Sequence, residues 1–122
     1  MDNKLEPVVV PVSDVDRCRH FYRALGFRLD LDRTDGNGRR VVQLTHPGSQ
    51  SSIVLGTGTD SAPPGSARTV LKVSDLEAAR AELLARGAAP GPMSRCQDGS
   101  GYLTFRDPDG NQWMLVGDVP AR

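Results

Sequence analysis

The stretch VVVPVSDVDRCRHFYRALG, residues 8–26, decides the fold because the chain contains it a second time in altered form. The second copy is TVLKVSDLEAARAELLARG, residues 69–87, and it begins 61 residues after the first. Val-Ser-Asp stands at the same place in both copies, and a glycine follows each aspartate by 12 residues. The same offset relates Gly56 to Gly117. The sequence therefore predicts one structural unit that is used twice.

Each copy is typical of a strand followed by a helix. Apolar residues recur at every second position and then at three- and four-residue steps, which predicts a strand and a helix with one apolar face. Asp14 and Asp75 precede the two helices and are residues of the N-cap type. Gly26 and Gly87 can adopt the left-handed conformation that ends a helix.

Three further strand segments follow each predicted helix, so that each unit has the order βαβββ. They lie near residues 27–32, 39–45 and 52–56 in the first unit, and near 88–92, 102–106 and 111–116 in the second. We expect a single domain over residues 1–122, with module 1 at about 5–57, a linker at about 58–66 and module 2 at about 67–118. The predicted fold class is α+β, with two βαβββ modules in tandem.

Composition and charge exclude several classes of partner. Fifteen Lys and Arg residues balance fifteen Asp and Glu residues, so that the chain has no basic surplus for nucleic acid or an anionic membrane. No apolar run approaches the roughly 20 residues of a membrane span, and the N-terminus does not have the pattern of a signal peptide. We therefore expect a cytoplasmic protein. Cys18 and Cys96 are the only cysteines, and we expect both to be reduced thiols.

The repeat, its Val-Ser-Asp helix starts and the closing stretch FRDPDGNQWMLV, residues 105–116, together resemble the vicinal oxygen chelate superfamily. This superfamily includes glyoxalase I, extradiol dioxygenases, fosfomycin-resistance enzymes and bleomycin-binding proteins. The resemblance covers nearly the whole chain, from residue 6 to residue 117. It implies two modules whose curved mixed sheets surround a cleft, and it implies a homodimer.

Many members of that superfamily bind a divalent metal through four cleft residues, usually His, Gln or Glu. The resemblance places these four positions at Pro7, Arg68, Met114 and Ile53, or at Val54 if the register slips by one residue. Proline, isoleucine and valine have no donor atom, arginine is a cation, and the methionine thioether suits copper(I) rather than a hard cation. We therefore expect no metal site and no cofactor.

Strand alternation predicts which side chains line the cleft. The predicted ligand-binding residues are mostly apolar, with a few polar groups, as in small-molecule pockets. They are Val9, Gln43, Ile53, Leu55, Arg68, Val70, Lys72, Tyr102, Thr104, Gln112 and Met114, with Val116 on the same face. Arg68 and Lys72 either bind an anionic group of the ligand or are solvated residues at the rim. Trp113 is predicted to point away from the cleft.

Three functions remain open at this point. The first is a metal-independent protein that binds or sequesters a small apolar or aromatic ligand, such as a polyketide-like compound, in antibiotic self-resistance. The second is a metal-free isomerase, cyclase or hydrolase of natural-product metabolism; its acid–base groups would be Tyr102, Lys72 and Arg68, and no catalytic residue can be assigned. Metal-dependent glyoxalase or dioxygenase chemistry ranks lower, because the four metal positions lack suitable ligands. The third is a protein–protein interaction module with a vestigial cleft. The sequence favours the first.

Overall fold

The computed structural model describes residues 8–34, 36–38, 40–46, 52–56 and 62–120, and these residues form two helices and eight strands. The elements in chain order are β1 (Val8–Pro11), α1 (Val15–Ala24), β2 (Arg28–Thr34), β3 (Arg40–Thr45), β4 (Ser52–Gly56), β5 (Arg68–Val73), α2 (Leu76–Ala85), β6 (Ser94–Arg95), β7 (Ser100–Arg106) and β8 (Gln112–Asp118). The prediction of an α+β fold with two tandem βαβββ modules is confirmed. None of the helices in these described ranges is long and apolar enough to cross a membrane.

Each module forms one mixed four-stranded sheet. The strand orders are β1-β4-β3-β2 and β5-β8-β7-β6. In both sheets the strand that precedes the helix pairs in parallel with the last strand of its module, and the other neighbours are antiparallel. The last strand of each module therefore lies inside its sheet, between two neighbours.

The chain divides into two compact units. Unit 1 contains residues 1–67 together with 107–111, and unit 2 contains residues 68–106 and 112–122. The turn between β7 and β8 thus belongs to unit 1, although both strands belong to unit 2. Unit 1 is therefore discontinuous in sequence.

The helix boundaries follow from the residues that the repeat singled out. The carboxylate of Asp14 accepts a hydrogen bond from the amide of Arg17 at 3.1 Å, and Asp75 does the same for Ala78 at 3.1 Å. These bonds satisfy amides that a helix N-terminus leaves without a partner. Gly26 and Gly87 follow the helices with φ angles of 95° and 91°. The predicted caps and stops are confirmed.

Each unit has its own apolar core under its helix. In unit 1, α1 packs against β3 and β4 and buries Val10, Val42, Leu44 and Leu55 completely. In unit 2, α2 packs against β8 over Leu103, Phe105, Trp113 and Leu115. The rings of Phe105 and Trp113 are stacked, with centroids 6.1 Å apart. Trp113 therefore lies in a core, on the face opposite its neighbour Met114, as the alternation predicted.

The strand expected near residues 88–92 is wrong. The structure has a two-residue strand, β6, at Ser94–Arg95 instead. Pro90 and Pro92 have no N–H to donate, so that only Gly91 between them bonds to the neighbouring strand, at 2.8 Å from its amide to the carbonyl of Thr104. Two prolines thus prevent this segment from forming a strand.

Candidate functional site

The candidate site in unit 2 is the face of its sheet that α2 does not cover. The register aligns side chains from β5, β8 and β7 in three rows across this face. The rows are Arg68–Gln112–Arg106, Val70–Met114–Thr104 and Lys72–Val116–Tyr102. We call these nine residues the open face of unit 2.

Burial confirms that the rows and the core lie on opposite faces. Leu103, Trp113 and Leu115, which alternate with the row residues, are at most 3% exposed. Leu76 of α2 lies on their side, because a Cβ atom added to Gly101 would meet the Leu76 side chain at 3.2 Å. In contrast, Val70 and Tyr102 of the open face are 60% and 42% exposed. Large apolar side chains that are this exposed in adjacent rows are typical of a binding surface.

The equivalent face of unit 1 is more apolar. Val9 of β1, Val54 of β4 and Gln43 of β3 form one row, and Leu31 of β2 extends it. Val9 is 37% exposed, whereas Gln43 and Val54 are half-buried. The predicted site residues Val9 and Gln43 therefore lie together on the uncovered face of unit 1.

The placement of Ile53 and Leu55 in the site is wrong. They are 4% and 0% exposed and belong to the core of unit 1. Ile53 pairs with Val8 and Leu55 pairs with Val10, both on the helix-covered face of the sheet. Because side chains alternate along a strand, the uncovered position is Val54.

The two residues were assigned to the wrong face because the offset between the two repeats is not constant. The row positions Val9 and Val70 are 61 residues apart, but Val54 and Met114 are only 60 apart. Six residues separate the paired ends of β3 and β4, whereas five separate those of β7 and β8. The extra residue in the first connection shifts β4 by one position, and a shift of one exchanges the two faces of a strand.

The residues at the four metal positions do not fit a metal ion. Arg68, Met114 and Val54 occupy three of them on uncovered faces of their own sheets, and Pro7 lies outside the described residues. A guanidinium repels a cation, a valine has no donor, and a thioether binds hard divalent ions poorly. In the part of the chain that the structure describes, no three His, Cys, Asp or Glu side chains are close enough to hold a metal.

The turn formed by Asp107–Asn111 is hydrogen-bonded to other residues of unit 1. The buried carboxylate of Asp107 accepts hydrogen bonds from the hydroxyl of Tyr22 at 2.8 Å and from the amides of Asp109 and Asn111 at 2.9 Å each. The side-chain amide of Asn111 donates to the carbonyl oxygen of Pro11 at 2.9 Å. The turn therefore binds to β1 and α1.

Asp109 connects the turn to Ser13 and to α1. In the structure its carboxylate accepts from the amide and hydroxyl of Ser13, at 3.1 and 2.6 Å, and from the thiol of Cys18 at 3.2 Å. The two motifs that identified the fold, Val-Ser-Asp and Asp-Pro-Asp-Gly-Asn, are thus in direct contact through Ser13 and Asp109.

This environment makes Cys18 inert and keeps Asp109 ionised. Burial raises the pKa of the Cys18 thiol, and the hydrogen bond to Asp109 and the nearby carboxylates raise it further. Burial also acts to raise the pKa of Asp109, but the hydrogen bonds from Ser13 and Cys18 outweigh it and hold that pKa below its usual range. A protonated, buried thiol is not a nucleophile, so that Cys18 is a packing residue.

Arg106 lies on the open face of unit 2, but the sequence reasoning did not include it. It pairs with Gln112 and lies in the same row as Arg68. Its guanidinium donates a hydrogen bond to the side-chain oxygen of Gln112 at 3.2 Å. Arg106 could have been predicted from the sequence, because it lies two residues after Thr104 on the same strand and therefore on the same face. The set of predicted site residues ended at Thr104.

A concavity lies on the helix side of unit 2. It is a shallow groove of about 290 Å³, lined by Glu77, Arg80, Ala81, Leu84 and Met93. None of these residues belongs to the open face of unit 2. The lining of the groove combines the charged side chains of Glu77 and Arg80 with three apolar residues.

Comparison with known proteins identifies the relatives of this chain. The family model described as the Glyoxalase/Bleomycin resistance protein/Dioxygenase superfamily matches residues 4–115. The crystal structure of TnmS3, an antibiotic binding protein from Streptomyces sp. CB03234, has 32% sequence identity and a TM-score of 0.82, over 96% of this chain and 97% of that one. No curated protein matches the sequence.

Two further crystal structures show the same similarity over nearly their full length. A glyoxalase/bleomycin resistance protein from Streptomyces sp. CB03234 has 33% identity and a TM-score of 0.77, over 92% of this chain and 98% of that one. A member of the same superfamily from Sphaerobacter thermophilus DSM 20745 has 29% identity and a TM-score of 0.78, over 96% and 98% of the two chains.

Proposed function

Because the chain belongs to the glyoxalase/bleomycin resistance protein/dioxygenase superfamily, we propose that it binds an aromatic or polyketide-like compound without a metal and leaves the compound unchanged. The observation that carries the proposal is the open face of unit 2, where the exposed Val70 and the half-buried Met114 form the middle of a surface that has cations at its ends. TnmS3, one of the similar proteins, is described as an antibiotic binding protein, which supports antibiotic self-resistance as the setting.

The chemistry of the open face favours binding over catalysis. An apolar middle row of Val70, Met114 and Thr104 provides area for a flat ring system, and the flexible methionine adapts to its shape. Proton transfer needs a group that titrates near the working pH, usually His, Glu or Asp. The nine residues of the open face include no His, Glu or Asp, so that an enzyme would have to use Tyr102 or Lys72.

We further propose that the ligand is anionic. We also propose that the protein is a homodimer and that it acts in the cytoplasm. Arg68 and Lys72, in the two outer rows, would attract a carboxylate or phenolate of the ligand. Light scattering of the purified protein measures the dimer, and a mass of one chain would remove that part of the proposal.

The deciding experiment is calorimetric titration of the purified protein with a panel of aromatic polyketide antibiotics, with and without EDTA. We expect one compound class to bind with saturation, the same affinity in EDTA, and an unchanged mass when the bound compound is recovered. A changed mass would establish a metal-free enzyme instead. Loss of binding in EDTA would show that a metal takes part.

A matched pair of variants locates the binding surface. Val70 and Leu84 are both exposed apolar residues of unit 2, at 60% and 50%, but Val70 lies on the open face and Leu84 on α2. We expect Val70→Asp to weaken binding at least tenfold, because it places a carboxylate under the ring system, and Leu84→Asp to leave binding unchanged. Equal effects of the two substitutions would contradict the assignment.

A further inference from the structure

Two hydroxyl groups and a carboxylate form a polar row at one end of the uncovered face of unit 1. The register pairs Thr45 of β3 with Ser52 of β4. Each lies two residues along its strand from Gln43 or Val54, so that both side chains are on the same face as those two. The polar row therefore borders an apolar surface about 7 Å away, to which Val54 and Val9 belong.

A β-bulge brings Asp30 into the same row. The register of β2 with β3 shifts at this residue, and bulges commonly redirect side chains. The Asp30 carboxylate accepts hydrogen bonds from the hydroxyl of Thr45 and from the guanidinium of Arg28, the latter at 2.6 Å. Thr45 is buried, whereas the side chain of Asp30 is 21% exposed and Ser52 is half-buried. We call Ser52, Thr45 and Asp30 the hydroxyl row.

The directions of the hydrogen bonds in the hydroxyl row follow from the number of protons. The bonds from Thr45 and Arg28 hold the pKa of Asp30 below its ordinary value, so that its carboxylate is ionised and only accepts. Because Thr45 donates its single hydroxyl proton to Asp30, Ser52 must donate to Thr45, whose oxygen is 2.7 Å from its own. Among the residues that the structure describes, none donates to the Ser52 hydroxyl, so that its oxygen keeps two lone pairs for a further donor.

This chain makes Ser52 a stronger acceptor than an isolated serine. Hydrogen bonds in a chain polarise one another, and this chain ends on a negative charge. The ion pair between Arg28 and Asp30 balances that charge, so that the hydroxyl row favours a neutral donor over an ammonium group. A carboxylate with a lowered pKa is a weak base, so that the chain polarises Ser52 without making it a nucleophile.

We propose that the uncovered face of unit 1 is a second binding surface, which takes a flat aromatic group with a neutral hydroxyl, and that this hydroxyl donates to Ser52. The rings lie over Val54 and Val9, beside the hydroxyl row. The ligand class is the phenols, since a phenol combines a flat apolar ring with a stronger O–H donor than an alcohol has. The inference goes beyond the proposed function, because it uses unit 1 and none of the nine residues of the open face of unit 2.

Two naphthalenes that differ by one methyl group test the inference. 2-Naphthol has the hydroxyl donor, whereas 2-methoxynaphthalene keeps the oxygen and lacks the donor. In an NMR titration of the labelled protein at pH 7, the shifts of the Ser52 and Val54 amides measure the affinity of each probe at this surface. We expect the naphthol to bind about fivefold more tightly, which is the effect of one hydrogen bond between neutral groups.

Three variants show whether Ser52 causes the preference. Ser52→Ala should abolish it and leave the affinity for the methoxy compound within about twofold. This variant should fold, because Thr45 still donates to Asp30 and no donor of the row loses its partner. Ser52→Thr keeps the hydroxyl and should retain the preference. Ser100→Ala is the matched control and should also retain it, because Ser100 donates to the carboxylate of Asp98 at 2.5 Å but belongs to unit 2.

Two results would overturn the inference. One is a preference for the naphthol that survives in Ser52→Ala, and the other is a titration that leaves the Ser52 and Val54 amides unshifted. Either result leaves the proposed function standing, since the antibiotic titration and Val70→Asp decide that proposal separately.

Discussion

Asp107 shows at the residue scale why a surface turn can hold a unit together. Asp107 is 5% exposed, and its carboxylate accepts hydrogen bonds from Tyr22, Asp109 and Asn111. If this buried acceptor is removed, the N–H and O–H groups that donate to it are left without partners. The cost therefore exceeds that of one lost hydrogen bond. The turn is therefore a structural part of unit 1 rather than a part of the site.

Replacing this carboxylate should destabilise the fold strongly. Asp107→Asn puts an NH₂ group against donors, and we expect it to lower the free energy of unfolding by about 2–3 kcal/mol. Tyr22→Phe removes one donor and should cost about 1 kcal/mol. Urea denaturation measures both. An Asp107→Asn variant that is as stable as Tyr22→Phe would contradict the network.

The pKa of Asp109 gives unit 1 an acid-dependent stability. Its folded-state pKa is lowered, so that the folded state binds fewer protons than the unfolded state at low pH. The resulting stability is present above the unfolded pKa of about 3.9 and is lost as pH falls through the folded value. We expect the stability difference between wild type and Asp109→Asn to be largest near pH 7 and to shrink towards pH 2. A difference that stays constant with pH, in urea denaturation at several pH values, would contradict this.

At the element scale, β4 shows where sequence reasoning succeeds and where it fails. Its position was predicted at residues 52–56, as observed, because a run of apolar residues between turns is a local signal. Its faces were assigned from the repeat, and the repeat does not reveal a single extra residue in a connection. A better signal was available. Trp113 and Leu115 flank Met114 as large core residues, and Ile53 and Leu55 flank Val54 in the same way.

The uncovered face of unit 2 was easier to predict, because polar and apolar residues alternate more clearly along its strands. Charged and polar residues alternate with large apolar ones in β5 and β7, so that the uncovered face was predictable for Arg68, Lys72, Tyr102 and Thr104. The hydrogen bond between Arg106 and Gln112 was not predictable, because it depends on the register of two strands. Local patterns thus predict faces, whereas partners across strands require the structure.

The register of β4 can be tested by two alanine substitutions. Ile53→Ala should lower the free energy of unfolding by about 2–4 kcal/mol, because it opens a cavity in the core of unit 1. Val54→Ala should cost about 1 kcal/mol or less, because Val54 lies on the uncovered face. Urea denaturation of the two variants compares them directly. The opposite order of stability would mean that the register is shifted by one residue.

At the scale of the whole molecule, the repeat conceals an asymmetry between the modules. Unit 1 takes residues 107–111 from the second half of the chain, and they bind Ser13, Cys18, Tyr22 and Pro11. Gly65 packs directly against the same turn. A Cβ atom at this position would clash with the carbonyl oxygen of Asp109, and the φ angle of +86° also favours glycine. The sequence suggests two equal modules, but the structural unit and the repeat do not coincide.

The asymmetry predicts that the first module cannot fold by itself. A fragment of residues 1–67 has the whole first repeat but lacks the turn, so that Tyr22, Ser13 and Cys18 lose the hydrogen bonds that they donate to Asp107 and Asp109 inside unit 1. The loss of a buried hydrogen bond such as that between Tyr22 and Asp107 costs about 1–3 kcal/mol, which is a large part of the stability of a small domain. We expect this fragment to be unfolded in circular dichroism and NMR spectra, and to fold when the fragment 68–122 is added. A well-dispersed NMR spectrum of residues 1–67 alone would show that the turn is dispensable.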